Sequence, residues 1–298
     1  MPLTMPARLR GFAAALAFAL VVPAPSIAAD NGAVFQDKSR VAAIGGSVTE
    51  IVYALGEEAT LVARDSTSLY PEAALSLPDV GYMRALSPEG VLSINPTGIL
   101  LLDGSGPTEA VDVLKKASVS IVTVPDGFDR AGIVTKIRVV GKALGVDEKA
   151  EKLAATVDGD IAAAEGLTAK IEQRKKVLFI LSMQGGKVLA SGTGTAADGI
   201  IKMAGGVNVI SEFQGYKQVS DESIITAQPD VILMMDRGGD HSVANAELFA
   251  HPAIAPTPAG ASKNLVRIEG TYLLGFGPRT AGAIKDLAVA LYGDQIKD

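Results

Sequence analysis

Tyr82 and Arg84 are the residues whose types and spacing most directly suggest chemistry. They lie in the segment Leu77-Pro78-Asp79-Val80-Gly81-Tyr82-Met83-Arg84-Ala85-Leu86-Ser87, where Pro78 and Gly81 favour an irregular or extended chain. Residues i and i+2 of an extended chain face the same way, so the guanidinium and the phenol are expected side by side. A neighbouring cation favours the anionic form of a phenol, and a phenolate is a hard ligand suited to ferric iron. On spacing alone, a half-buried surface tyrosine beside an unrelated arginine is the plainer reading.

Other chemistries find little support. The chain has no cysteine, which removes thiolate metal sites and cysteine nucleophiles. Its two histidines, His241 and His251, fall in one polar, loop-like stretch, whereas a divalent-metal site wants three or more nitrogen or oxygen ligands around a cavity. Gly45-Gly46-Ser47-Val48-Thr49 lacks the second glycine of a nucleophile elbow. There is no Walker loop, and Gly192-Thr193-Gly194-Thr195-Ala196-Ala197 mimics a dinucleotide fingerprint only as a lone match after a short strand. No motif supports an enzyme. The net charge of −6 comes without a basic stripe, which argues against nucleic acid as a partner. Aromatic residues at 5%, with no tryptophan, argue against stacking-rich sugar or single-strand binding.

The elements that must position these residues alternate between short apolar runs and helical patterns, an α/β arrangement with parallel pairing. Strands are expected at 40–44, 61–63, 98–102, 121–124 and 176–181. Residues 131–172 read as one long helical region, interrupted near Gly145 and rich in Lys, Glu and Ala. An internal repeat flanks it. Ser87, Glu89 and Pro96 reappear 133 residues later as Ser220, Glu222 and Pro229, each copy followed by an apolar run, so one supersecondary unit was used twice. In both copies Ser suits an N-cap and the acid suits the first helical turn. The expected architecture is two α/β lobes with parallel central sheets, joined by a long backbone helix, with a ligand cleft between the lobes. The lobes are expected at 30–130 and 173–298, with the connecting helix at 131–172.

Residues 1–29 read differently. Arg8 and Arg10 precede an apolar run from Gly11 to Val22, which ends at Pro23 and Pro25 before Ala28 and Ala29. This is the pattern of a cleavable signal peptide, and the run is too short to span a bilayer as a helix. Removing the two arginines takes the net charge from −6 to −8. With no cysteine for lipid attachment, the expected product is a free periplasmic protein.

Nearly the whole remaining chain resembles the haem-binding periplasmic proteins of ABC importers, in the helical-backbone class that also holds vitamin B12 and siderophore binders. The matching motifs are Ile44 to Gly56, Arg64-Asp65-Ser66-Thr67-Ser68, Leu77 to Ser87 with Glu89-Gly90, Thr195-Ala196-Ala197-Asp198, and Leu273-Leu274-Gly275-Phe276-Gly277. Val80-Gly81-Tyr82-Met83-Arg84 is the most specific. The resemblance implies that Tyr82 is the axial ligand of haem iron and that Arg84 supports its oxygen. Some relatives place a histidine near the position of Met183, so Met183 is implied as a haem contact or a second axial ligand. Arg237 and Arg279 are candidates for the haem propionates, and Tyr272 for the cleft wall. Glu89 and Glu222, one per lobe, are implied to dock on the membrane permease. The resemblance further implies transported haem b, a permease and ATPase complex, an outer-membrane haem receptor upstream, a monomer and little lobe closure. The alternative cargo on the same scaffold is a corrinoid or a ferric siderophore.

Overall fold

The structure is a computed structural model; besides Met1 it describes residues 34–236 and 243–296. The expected signal peptide, Arg237 and His241 lie outside the described residues.

The first lobe is a four-stranded parallel sheet in the order β2-β1-β3-β4. Its strands are β1 (Val41–Ile44), β2 (Leu61–Arg64), β3 (Gly98–Leu102) and β4 (Ser120–Val124). Helices α1 (Gly46–Ala54), α2 (Pro88–Ser93), α3 (Thr108–Lys116) and α4 (Arg130–Ala143) connect or follow them. Every residue of β1 and β3 is buried, which is why these strands read as unbroken apolar runs rather than alternating ones.

The expected single helical region is two helices. After α4 the chain turns through Gly145, at φ +65°, and continues as α5 (Asp147–Gly166). Ala150, Ala154, Val157, Ile161 and Ala164 are its buried residues, a stripe at alternating four- and three-residue steps. Three of the five are alanines, which lets α4 and the C-terminal helix α11 (Thr280–Tyr292) pack close against it. Among the described residues no helix is long and apolar enough to cross a membrane.

The second lobe contains β5 (Lys176–Gln184), β6 (Lys187–Ser191), α6 (Ala196–Met203), β7 (Val207–Asn208), β8 (Tyr216–Val219), α7 (Asp221–Ala227), β9 (Val231–Asp236), α8 (Asn245–Ala250), α9 (Pro258–Ser262), β10 (Leu265–Glu269) and α10 (Gly270–Leu274), and ends in α11. Its sheet runs β10-β9-β5-β6-β8, with β7 beside β5. The centre of this sheet is parallel as expected, and its β6 and β8 edge is antiparallel. β10, β9 and β7 join in parallel, but β5-β6 and β6-β8 are antiparallel. The cause is a two-residue hairpin at Gly185-Gly186, both at positive φ, a backbone that glycine adopts without steric cost and that matches strand twist.

The repeat is structural. Ser87 Oγ accepts from Gly90 N and Ser220 Oγ accepts from Ser223 N, each at 3.1 Å. Both helices end in a left-handed residue, Asn95 at φ +48° and Gln228 at φ +46°, again 133 positions apart. β3 and β9 then start at matching offsets.

Candidate functional site

The Tyr82 segment is built onto the carboxyl end of β2. Arg64 N donates to Pro78 O at 3.0 Å and Val80 N donates to Arg64 O at 2.9 Å. Ser66 N then donates to Gly81 O at 2.9 Å. On the other side Gly106 N donates to Met83 O, and Leu86 N to Gly106 O. Val80, Met83 and Leu86 are buried pegs between these anchors. With Met83 turned inward, its two neighbours turn outward.

The local geometry differs from the extended chain expected. Ala85 N donates to Tyr82 O at 2.8 Å, closing a turn over 82–85. The phenol and guanidinium still meet: Arg84 Nη1 donates to Tyr82 Oη at 2.9 Å. Tyr82 is 44% exposed, so its oxygen is held by a cation and open to an incoming ligand. Leu69, Tyr70 and Leu75, in the stretch leading to it, are exposed to a similar degree. Half-exposed apolar side chains in one loop region suit an apolar ligand face.

Tyr216, at the start of β8, is a second-lobe residue that sequence reasoning missed. Burial pushes its phenol up; the Thr195 hydroxyl, the Ala197 amide and the positive Arg84 pull it back. The ring packs 6.3 Å from Phe179. No motif marked Tyr216, because its place depends on the β6-β8 pairing.

Met183 lies on β5, opposite Val188, and is 6% exposed within the second-lobe apolar cluster. A register shift between Ile180 and Ser182 changes the parity of the strand. Without that bulge Met183 would share the face of Val177 and Phe179; with it, the sulfur packs beside Ile180 and Val188. The Met183 side chain is thus buried in the second-lobe apolar cluster.

Arg279 is not a free cation. Its Nε donates to Glu50 Oε2 at 3.0 Å and its amide donates to Glu50 Oε1 at 2.9 Å. Its guanidinium carbon sits 3.6 Å from the Tyr70 ring centroid and 5.4 Å from that of Tyr272. Neither contact uses Nη1 or Nη2, so Arg279 can stay paired with Glu50 and still offer donors to an anionic group. Tyr272 donates its phenol proton to Asp286 at 3.0 Å. Burial and that carboxylate push its phenol up to about 12, so Tyr272 serves as a neutral donor rather than an anionic ligand. It lines a groove of about 530 Å³ with Asp160, Arg279 and Lys285, and Tyr82 is not among the groove's lining residues.

Glu89 and Glu222 stand in the first turns of α2 and α7, and both are exposed. Ser87 Oγ donates to Glu89 Oε2 at 3.0 Å. The Glu89 backbone amide and this hydroxyl hold its carboxyl below the usual range. His251 is not in an open polar loop. It is buried, with Nε2 2.8 Å from Gly186 O and Nδ1 accepting from Ala253 N, so it pins the tip of the β5-β6 hairpin. Among the described residues no cluster of three or more His, Asp or Glu is arranged for a metal ion.

Comparison with known proteins agrees with this layout. The solved structure "Periplasmic heme-binding protein BhuT in complex with two hemes" superposes with a TM-score of 0.81 at 37% identity, covering 87% of this chain and 99% of that one. An uncharacterized ABC transporter substrate-binding lipoprotein of Bacillus subtilis is 23% identical over 88% of this chain and 83% of its own. A vitamin B12-binding protein of Vibrio campbellii is 25% identical over 79% of this chain and 82% of its own. The family described as periplasmic binding protein matches residues 41–272, and with its paired α/β lobes and connecting helix the chain belongs to that family.

Proposed function

We propose that this protein binds haem in the periplasm and delivers it to an ABC importer, with the Tyr82 phenolate as the axial ligand of ferric iron. The observation that carries the reading is the 2.9 Å donation from Arg84 to an exposed tyrosine oxygen. Tyrosine is a known axial ligand of haem iron, and here a guanidinium steadies its oxygen from one side. The exposed Leu69, Tyr70 and Leu75 supply apolar surface for the porphyrin, whose burial drives much of the affinity. The likeness to BhuT, at 37% identity, supports haem as the cargo. Haem b is the form proposed. Met183 is proposed as a haem contact or second axial ligand. Arg237 and Arg279 are the proposed holders of the propionates.

Export follows from the signal-peptide pattern at 1–29. Glu89 and Glu222 are proposed to dock the loaded monomer on a permease and ATPase complex, since charged patches at matched positions set register and encounter rate. An outer-membrane haem receptor would supply the cargo. The protein acts by binding and release rather than by catalysis.

A corrinoid is the second reading, favoured by the vitamin B12-binding relative. Gel filtration after mixing with hemin, cyanocobalamin or a ferric siderophore separates the two. Co-elution of hemin with a Soret band, and of neither competitor, supports haem; co-elution of cobalamin alone overturns it.

A further inference from the structure

The contacts that join the two lobes beside α5 converge on one short turn, Gly275–Arg279, between α10 and α11. From the first lobe, Lys136 on α4 donates to Asp126 at 2.7 Å and Ser47 at 3.3 Å, and reaches across to Phe276 O at 3.2 Å. Glu50 on α1 takes both the backbone amide and the Nε of Arg279. The Phe276 ring meets Phe128 of the first lobe edge-on, with centroids 5.3 Å apart. Gly199 on α6 allows Phe128 to come this close, since a Cβ there would strike the Phe128 carbonyl. Phe276 itself is held at φ +50°, a backbone conformation that costs a non-glycine residue and persists only where its surroundings impose it.

We infer that this turn is a charged latch, in which Lys136 and Glu50 grip Phe276 and Arg279 so that the latch, and not α5 alone, sets the opening between the lobes.

Burial works against the charge on both groups. Burial pushes the Glu50 carboxyl up despite Arg279 beside it, and pushes the Lys136 ammonium down despite Asp126. In each case desolvation outweighs the attraction, the usual balance for buried ion pairs. What the arrangement provides is geometry. Lys136 has no solvent-exposed surface, and its three partners from both lobes fix one position for the turn. Arg279 is a positioning residue in this scheme, acting through Glu50 and the Tyr70 ring. The inference does not depend on what the cleft carries.

The absence of cysteine makes a distance measurement clean. Asp112→Cys on α3 and Ala261→Cys on α9, both exposed, place one nitroxide on each lobe. Double electron–electron resonance should give a single narrow distance that moves by less than about 2 Å on adding hemin. The variant Glu50→Leu/Arg279→Leu removes both charges together, a change that typically leaves a protein folded. Its distance distribution should broaden about twofold, as expected when a hinge is freed, while its melting temperature stays near that of the parent. Should the pair not fold, Glu50→Gln is read the same way, because it keeps the shape and one acceptor. Arg138→Gln, which breaks the exposed α4–α5 pair with Glu151, is the control and should leave the width unchanged. A folded latch variant as narrow as its parent, or a parent that is already broad, overturns the latch. Failure to bind hemin would strike the cargo assignment and leave this result intact.

Discussion

Replacing Arg84 with leucine isolates what the guanidinium does for the ligand oxygen. The contact is a 2.9 Å donation to Tyr82 Oη, and a hydrogen bond to a charged group contributes roughly 1.5–3 kcal/mol. Both side chains are exposed, so water competes and the expected loss drops to about 1 kcal/mol. That corresponds to about fivefold weaker binding of ferric haem. Arg84→Lys keeps the charge and should lose less. The effect is electrostatic at short range, and at 1 M salt the screening length falls to about 3 Å, close to the contact distance. The gap between parent and Arg84→Leu should therefore shrink at 1 M salt. Hemin titrations followed at the Soret band, at low and high salt, read both numbers. Equal affinity in the two proteins, or a gap that ignores salt, would refute the reasoning and point to packing in place of charge.

Glu89→Ala and Glu222→Ala should lower haem uptake by a reconstituted importer several-fold while hemin affinity is unchanged; a fall in affinity would remove them from the docking surface. Tyr272→Phe should leave the haem spectrum as it is, because a phenol held near 12 and donating to Asp286 supplies no anionic ligand; a changed spectrum contradicts that placement. Glu50 gives a pH test. Its folded carboxyl binds its proton more tightly than the unfolded chain, whose value is near 4.5. The stabilisation it contributes is therefore full below that pH and is lost as pH rises through the raised folded value. Urea melts should show wild type gaining stability relative to Glu50→Gln on acidification from neutral; the opposite trend would mean that the pairing with Arg279 dominates.

The parts of this molecule legible in the sequence were those set by neighbours along the chain. The Ser87 and Ser220 caps, the repeated helices ahead of Pro96 and Pro229, and the Tyr82-x-Arg84 pair all depend on residues a few positions apart. Even there the means differed. The phenol meets the guanidinium across a turn, made possible because Met83 is drawn into the core, and alternation along a strand plays no part. What was not legible depends on pairing over long distances. Arg279 reads as a free cation until Glu50, 229 positions away, is brought to it. Met183 reads as sharing the face of Phe179 until the bulge at 180–182 moves it to that of Ile180. The Gly185-Gly186 hairpin was written in the sequence as two glycines between apolar runs, and it alone would have predicted the antiparallel strands. Tyr216 follows from that hairpin at one further remove.

The proposed iron–oxygen bond at Tyr82 is tested most directly by the absorption spectrum of the ferric haem complex of Tyr82→Phe, set beside that of wild type. The wild type should show a high-spin tyrosinate spectrum, and the variant, which loses one oxygen and keeps the ring, should lose that spectrum and bind hemin more weakly. The same tyrosinate spectrum in both proteins would contradict the assignment of Tyr82 as the ligand.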